Sequence, residues 1–170
     1  IGGLILTTLD VVTDILMVLQ FKRDGEDFFA DITIACCCVC ILFNILLAIT
    51  QHHKAGFGKV LLEIMFVVTF TKPAVDAYSV SVGKEKTREM VADPFVEYMT
   101  GKAIELVTES IPGSVIQAYA LLIAPPSKRS VTALVSIVVS LGTTAFTSTM
   151  ISYDLDCSPQ RRRDQPKLYG

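Results

Sequence analysis

The 170 residues are 51% hydrophobic and only 19% charged, with a mean hydropathy of +0.52, which excludes an ordinary soluble domain of this size. A net charge of −2 and a pI near 5.7 exclude a general nucleic-acid binder, whose footprint would be a basic face. The composition is that of an integral, multi-pass membrane protein, and the apolar run begins at Ile1 with no preceding Met, as in a processed or trimmed chain.

A helix that crosses a bilayer needs about 20 mostly apolar residues, and five segments come near that length. The first, Ile1 to Leu19, ends at a polar loop around Gly25. The second, Ala30 to Thr50, carries Cys36, Cys37, Cys38 and Cys40 and ends at Gln51, His52, His53 and Lys54. Adjacent thiols on a helix point about 100° apart and do not converge on one metal, so these cysteines read as small buried hydrophobes. The two adjacent histidines read as a solvated loop. The third segment, Val60 to about Gly83, is interrupted by Lys72, Pro73 and Asp76. Pro73 predicts a kink there, because proline removes a donor and crowds the preceding turn, and Lys72 is placed to pair with Asp76 one turn on. Lys84 to Asp93 reads as a solvated connection. The fourth segment, about Phe95 to Ala124, is expected to break at Pro112–Gly113, and Pro125–Pro126 end it. Such a break admits a re-entrant hairpin, which membranes allow where protein or water covers the backbone. The fifth, Val131 to Tyr153, is rich in Ser136, Ser140, Gly142, Thr143, Thr144 and Ser148, small residues that let a neighbouring backbone approach and so place this helix inside a bundle.

The runs are too long and continuous for a β-barrel. The expected fold is all-α: a polytopic transmembrane helical bundle of about five segments over residues 1–156, followed by a basic polar tail, 157–170, with Arg161, Arg162 and Arg163. Cys157 beside those arginines is a candidate lipidation site if that end is cytosolic. Five full crossings and the positive-inside rule put the tail in the cytoplasm and the N-terminus outside. A re-entrant fourth segment puts both ends on one side and leaves the Lys/Arg distribution nearly balanced.

Acids inside these runs carry the functional argument. Asp10 and Asp14 lie in the first segment, in TLDVVTD, and Glu105 and Glu109 in the fourth, in ELVTE. Each pair has i, i+4 spacing, which puts both carboxylates on one face of a helix, about 6 Å apart. Each costs about 2.5–3.5 kcal/mol near the bilayer centre on insertion scales, so four of them need a reason. Glu63 and Asp76 add to the acid excess, while Lys72 is a base well inside these runs. The acids are protonated, or hold a cation, for which calcium suits a hard oxygen cluster, or meet bases on other chains, or line a wet groove for polar groups. The plainest reading is structural ion pairs between helices or carboxylates near the interface. With two histidines in all and no Gly-rich phosphate loop, neither a histidine metal site, a Ser-His-Asp triad, an enzymatic activity nor a cofactor is expected.

Three motifs in order carry a family resemblance: LDVVTD on the first helix, ELVTESIP on a later one, and the Ser-rich SIVVSLGTTAFTSTMISYDLD after it. Together they resemble the XK-related membrane proteins, a family that includes phospholipid scramblases. Its usual E-x-x-x-E-x-x-P-Q has Gly113 here in place of the glutamine, with Gln117 one turn further on. The resemblance covers most of this chain but only about the first half of a typical member. It implies that Asp10, Asp14, Glu105 and Glu109 form an intramembrane acidic path for lipid head groups, that the Glu-bearing helix enters the membrane without crossing it, and that membrane lipids are the partners. It also implies a missing C-terminal half or further membrane chains. Two rivals use the same acids: a cation channel or transporter, and a structural or accessory subunit of a larger membrane assembly.

Overall fold

The structure, a computed structural model, describes residues 2–83, 90–123 and 131–157; within these, the side chains of residues 2–8, 10, 132 and 154–156 are outside the description. The described residues are helical with no strand: α1 (Gly2–Asp24), α2 (Asp27–His52), α3 (Phe57–Val68), α4 (Lys72–Ser81), α5 (Pro94–Glu105), α6 (Ile111–Ile123) and α7 (Val131–Cys157), with a 3₁₀ turn at His53–Ala55 and a π-helical turn at Leu106–Ser110 between α5 and α6. Three runs among them are long and apolar enough to cross a membrane: Asp27–Ala55, Pro94–Ile123 and Ala133–Tyr153. α1, at 23 residues, spans about 35 Å and matches them in length.

Local chemistry sets the boundaries. Gly25, at φ 78°, closes the turn between α1 and α2, a left-handed conformation that costs glycine least. Across that turn Lys22 reaches Asp31 at 3.1 Å and Asp27 at 3.7 Å, and the hydrogen bond it donates to Asp31 raises the Lys22 pKa. α5 starts at Pro94, where a missing amide costs nothing, and Asp93 caps it by accepting from the Phe95 amide at 2.9 Å.

Two sequence expectations change here. Pro73 does not kink a long third helix. It sits in the first turn of α4, and α3 ends four residues before Lys72 begins the new helix, with Phe70 at φ 56° between them. At 12 and 10 residues, α3 and α4 reach about 18 Å and 15 Å, short of the roughly 30 Å hydrocarbon layer. Pro112–Gly113, in contrast, does not break the fourth segment, which stays helical from Pro94 to Ile123. The helix widens one turn earlier, where the Ile111 amide reaches back five residues to the Leu106 carbonyl, a π turn of the kind that absorbs an irregular ladder.

Contacts between distant residues give the directions. Phe21 and Phe29 stack at 5.7 Å around the α1–α2 turn, and Phe29 meets Tyr119 of α6 at 6.2 Å. At the far end of α2, the Gln51 side chain donates to the Ala92 carbonyl at 2.7 Å and accepts from its amide at 2.8 Å. So α1 and the 94–123 run point one way, while α2 and α7 point the other. Met17, Phe21, Phe29, Ala30, Ala120 and Ala133 form the apolar core at the α1–α2 turn end. The 57–81 pair departs from and returns to the opposite end, α3 lying on α2 and α4 on α5. Ser136, Ser140, Thr143 and Thr147 form the buried face of α7, which packs chiefly along α1, as their small size predicts.

Candidate functional site

The bundle interior holds a polar band. Gln117 of α6, 0% exposed, donates to Asp14 Oδ1 of α1 at 2.8 Å. One helix away, Cys37 of α2 donates its thiol to Glu109 Oε1 in the π turn at 3.7 Å. Asp14, Cys37 and Glu109 each bring a ligand atom within 4.8 Å of the other two. α1, α2 and the 94–123 run therefore converge here, although their residues lie up to 103 positions apart. On α7, the Ser136 and Ser140 hydroxyls are buried with no hydrogen-bond partner among the described residues, as is Gln117 Oε1.

A hollow lies on each side of this band. The first, a half-open cleft with about 590 Å³ of empty space, is walled by Cys40, Asn44, Val67, Phe70, Lys72, Asp76, Lys102, Glu105 and Glu109, among others. Its walls put the Phe70 turn opposite the middle of α2 and α5. The second, about 580 Å³, lies toward the apolar core and is lined by Met17, Gln20, Asp24, Phe29, Gln117 and Ala133. Glu109 faces the first hollow and Gln117 the second, with Asp14 joined to Gln117 between them.

Of the four acids in the sequence-derived path, Asp14 and Glu109 meet in this band. Glu105 lines the same cleft but is bonded to Lys102 on its own helix, Nζ to Oε2 at 2.5 Å. Asp10 lies on α1 one turn before Asp14, and its side chain is outside the described residues. Gln117, noted in the sequence as a displaced counterpart of the family glutamine, is the residue that bonds Asp14. Pro112 sits in the first turn of α6, directly after the π turn.

Glu63, Lys72 and Asp76 belong to a second cluster, at the α2–α5 end. Lys72 Nζ lies 2.6 Å from Glu97 Oε1, 2.8 Å from Asp76 Oδ1 and 2.9 Å from Glu63 Oε2. His52 Nε2 lies 3.2 Å from Glu97 Oε1 and 3.8 Å from Glu63 Oε1, and Lys59 reaches Glu63 Oε1 at 2.8 Å. His52 is thus buried and paired, which corrects its reading as a solvated loop residue; of the two histidines only His53 is exposed. His52, Glu63 and Glu97 also have metal-ligand spacing, with the Lys72 ammonium already between the two carboxylates. Glu97 and Lys102 are the residues of these clusters that sequence reasoning did not name, and His52 is the one it misread. The available signal was position, since a cap at Asp93 with Pro94 starts a helix early enough to bring Glu97 and Lys102 inside an apolar run.

The cysteines divide as well: Cys40 is buried, Cys36 and Cys37 half-buried, and Cys38 and Cys157 exposed. Cys157 ends α7, while Arg161 to Arg163 and the connection at 84–89 lie outside the described residues. The chain matches no family model, no curated protein and no solved structure.

Proposed function

We propose that this chain moves or binds membrane lipids through an intramembrane acidic path, as its resemblance to the N-terminal half of XK-related scramblases implies. One observation carries the reading: two hollows on either side of a band made by the buried Asp14–Gln117 pair and the partly buried Cys37–Glu109 contact. Carboxylates and amides facing a hydrated groove replace part of the water shell of a zwitterionic head group, while its tails remain in lipid. That lowers the barrier to crossing without covalent chemistry.

In this reading α1, α2, the 94–123 run and α7 cross the membrane, and the α3–α4 pair dips in from one side and returns. Both ends of the chain then share a side with Lys54, Lys59, Lys84, Lys86, Arg88, Arg161–Arg163 and Lys167, against Lys22, Arg23, Lys128 and Arg129 on the other. The positive-inside rule makes the richer side cytoplasmic, the tail included.

The test is Asp14→Asn with Glu109→Gln in reconstituted vesicles. The introduced asparagine still offers an oxygen to Gln117, so the fold is retained while the charge is removed. Flipping of a labelled phospholipid is expected to be lost, and undiminished flipping by the folded variant removes the acid path.

A second reading has its own support: the close approach of Asp14, Cys37 and Glu109 suits a cation pathway, and ion flux in vesicles that show no flipping would favour it. A third reading, an accessory subunit whose acids pair with bases on partner chains, is tested by purification, where a stable, active monomer counts against it.

A further inference from the structure

The α3–α4 pair is fastened to the bundle in an unusual way. No residue of either helix belongs to the apolar core at the α1–α2 turn end. Leu61, Leu62, Met65 and Val68 of α3 and Tyr78 of α4 are exposed, and Val67 is the one buried apolar residue between them. Of the three fully buried side chains on the pair, Glu63, Val67 and Lys72, two are charged. Lys72, 6% exposed, binds Glu63 of α3, Asp76 of α4 and Glu97 of α5, and His52 adds α2 to the same carboxylate of Glu97. The Lys72 ammonium therefore joins the hairpin to α5, and His52 of α2 adds a longer contact, 3.8 Å, to Glu63 of α3.

The turn between the helices is internally braced: Thr69 and Thr71 hydroxyls lie 2.8 Å apart, and both bond carbonyls at the end of α3. That turn also supplies Phe70 to the cleft wall, with Val67, Lys72 and Asp76 beside it. The opposite wall carries Cys40, Asn44, Lys102 and Glu109. Outward movement of the hairpin as a unit removes one wall and exposes Glu109 from the side on which the hairpin enters.

We propose that the α3–α4 hairpin is a gate over this cleft and that Lys72 is the positioning residue that latches it shut. A polar latch suits a gate because its cost is asymmetric. Buried, each charge depends on its partner and is expensive to leave alone; once the hairpin moves out, water solvates the same groups. An apolar seal of equal strength has no such compensation on opening. The gate follows from the geometry of the cleft and holds whether lipid or ion passes through it.

Cys40 is the reporter, since it lines the cleft wall facing the hairpin and is 5% exposed. In a chain whose other cysteines are replaced by alanine, reconstituted in vesicles, its rate of modification by a charged methanethiosulfonate measures opening. Lys72→Met keeps the bulk and removes the latch, and is expected to raise that rate about tenfold or more, while Lys72→Arg stays within about twofold of the parent. Glu97→Gln, which leaves Lys72 in place but removes a charge it binds, is expected to give a smaller rise and serves if Lys72→Met does not fold. Rates unchanged in both folded variants overturn the gate. So does an equal rise in Lys22→Met, which breaks the exposed α1–α2 ion pair and would report general loosening. Loss of lipid flipping in the Asp14 and Glu109 variants bears on the path and leaves this outcome untouched.

Discussion

Gln117 and Asp14 show how much one amide contributes inside a bundle. Asp14 is buried, and the Gln117 Nε2 donor at 2.8 Å takes the place of water for one of its oxygens. Gln117→Leu removes that donor while the carboxylate stays inside, and is expected to cost about 1–3 kcal/mol. Asp14→Asn preserves an acceptor in the same place and should cost clearly less. Thermal unfolding in detergent micelles separates the two, and equal losses would mean that the bond contributes nothing of its own. The spacing of LDVVTD and ELVTE marked Asp10, Asp14, Glu105 and Glu109 alike, and the approach of Asp14 to Glu109 across helices was not legible in it. His52 and Glu97 were not legible, because their pairing spans 45 positions and no local pattern marks either partner. Lys72 with Asp76 was legible, since the two are one helical turn apart.

Helix by helix, the small-residue face of α7 offers the sharpest contrast. Ser136, Ser140, Thr143 and Thr147 are buried, while Gly142, equally small, is exposed, so small-residue content pointed to a packed helix without defining which face packs. The hydroxyl of Ser140, 1% exposed, has no partner among the described residues, and its size rather than its polarity is what the packing against α1 uses. Ser140→Ala is therefore expected to be neutral or slightly stabilising, whereas Ser140→Leu forces the helices apart at about 1–3 kcal/mol. Equal destabilisation by both would show instead that the hydroxyl itself stabilises the native state. The 94–123 run was less readable. Proline after two glutamates predicts a break, yet the π turn at Leu106–Ser110 precedes Pro112 and the run continues. Glu105 and Glu109 stay on one cleft but have different partners, a lysine on the same helix and a thiol on α2. Asp93 belongs to this element too: Asp93→Ala removes the cap on the Phe95 amide and should cost about 0.5–2 kcal/mol, read as a lower unfolding midpoint in the same micelles.

At the scale of the whole chain the decisive residues are Thr69 to Thr71. A third segment that crosses the membrane places Lys54 and Cys157 on opposite faces, with Arg23 on the side of Cys157. A third segment divided into two helices of about 18 Å and 15 Å, whose flanks are held together by the Gln51–Ala92 bonds, returns to its starting side. The proposed topology then puts Lys54 and Cys157 on one face and Arg23 on the other. Sequence periodicity alone does not distinguish the two, because the apolar residues of α3 and α4 read as one run through the TFTKP interruption. Single cysteines decide it: native Cys157, which is exposed at the end of α7, Lys54→Cys and Arg23→Cys, each in a background without other cysteines, labelled with an impermeant maleimide in intact cells and after permeabilisation. The expectation is that Arg23→Cys labels in intact cells and the other two only after permeabilisation, the Lys- and Arg-rich face being cytoplasmic. Labelling of Lys54→Cys from outside with Cys157 protected would restore a third crossing, and with it the N-terminus outside and the tail within.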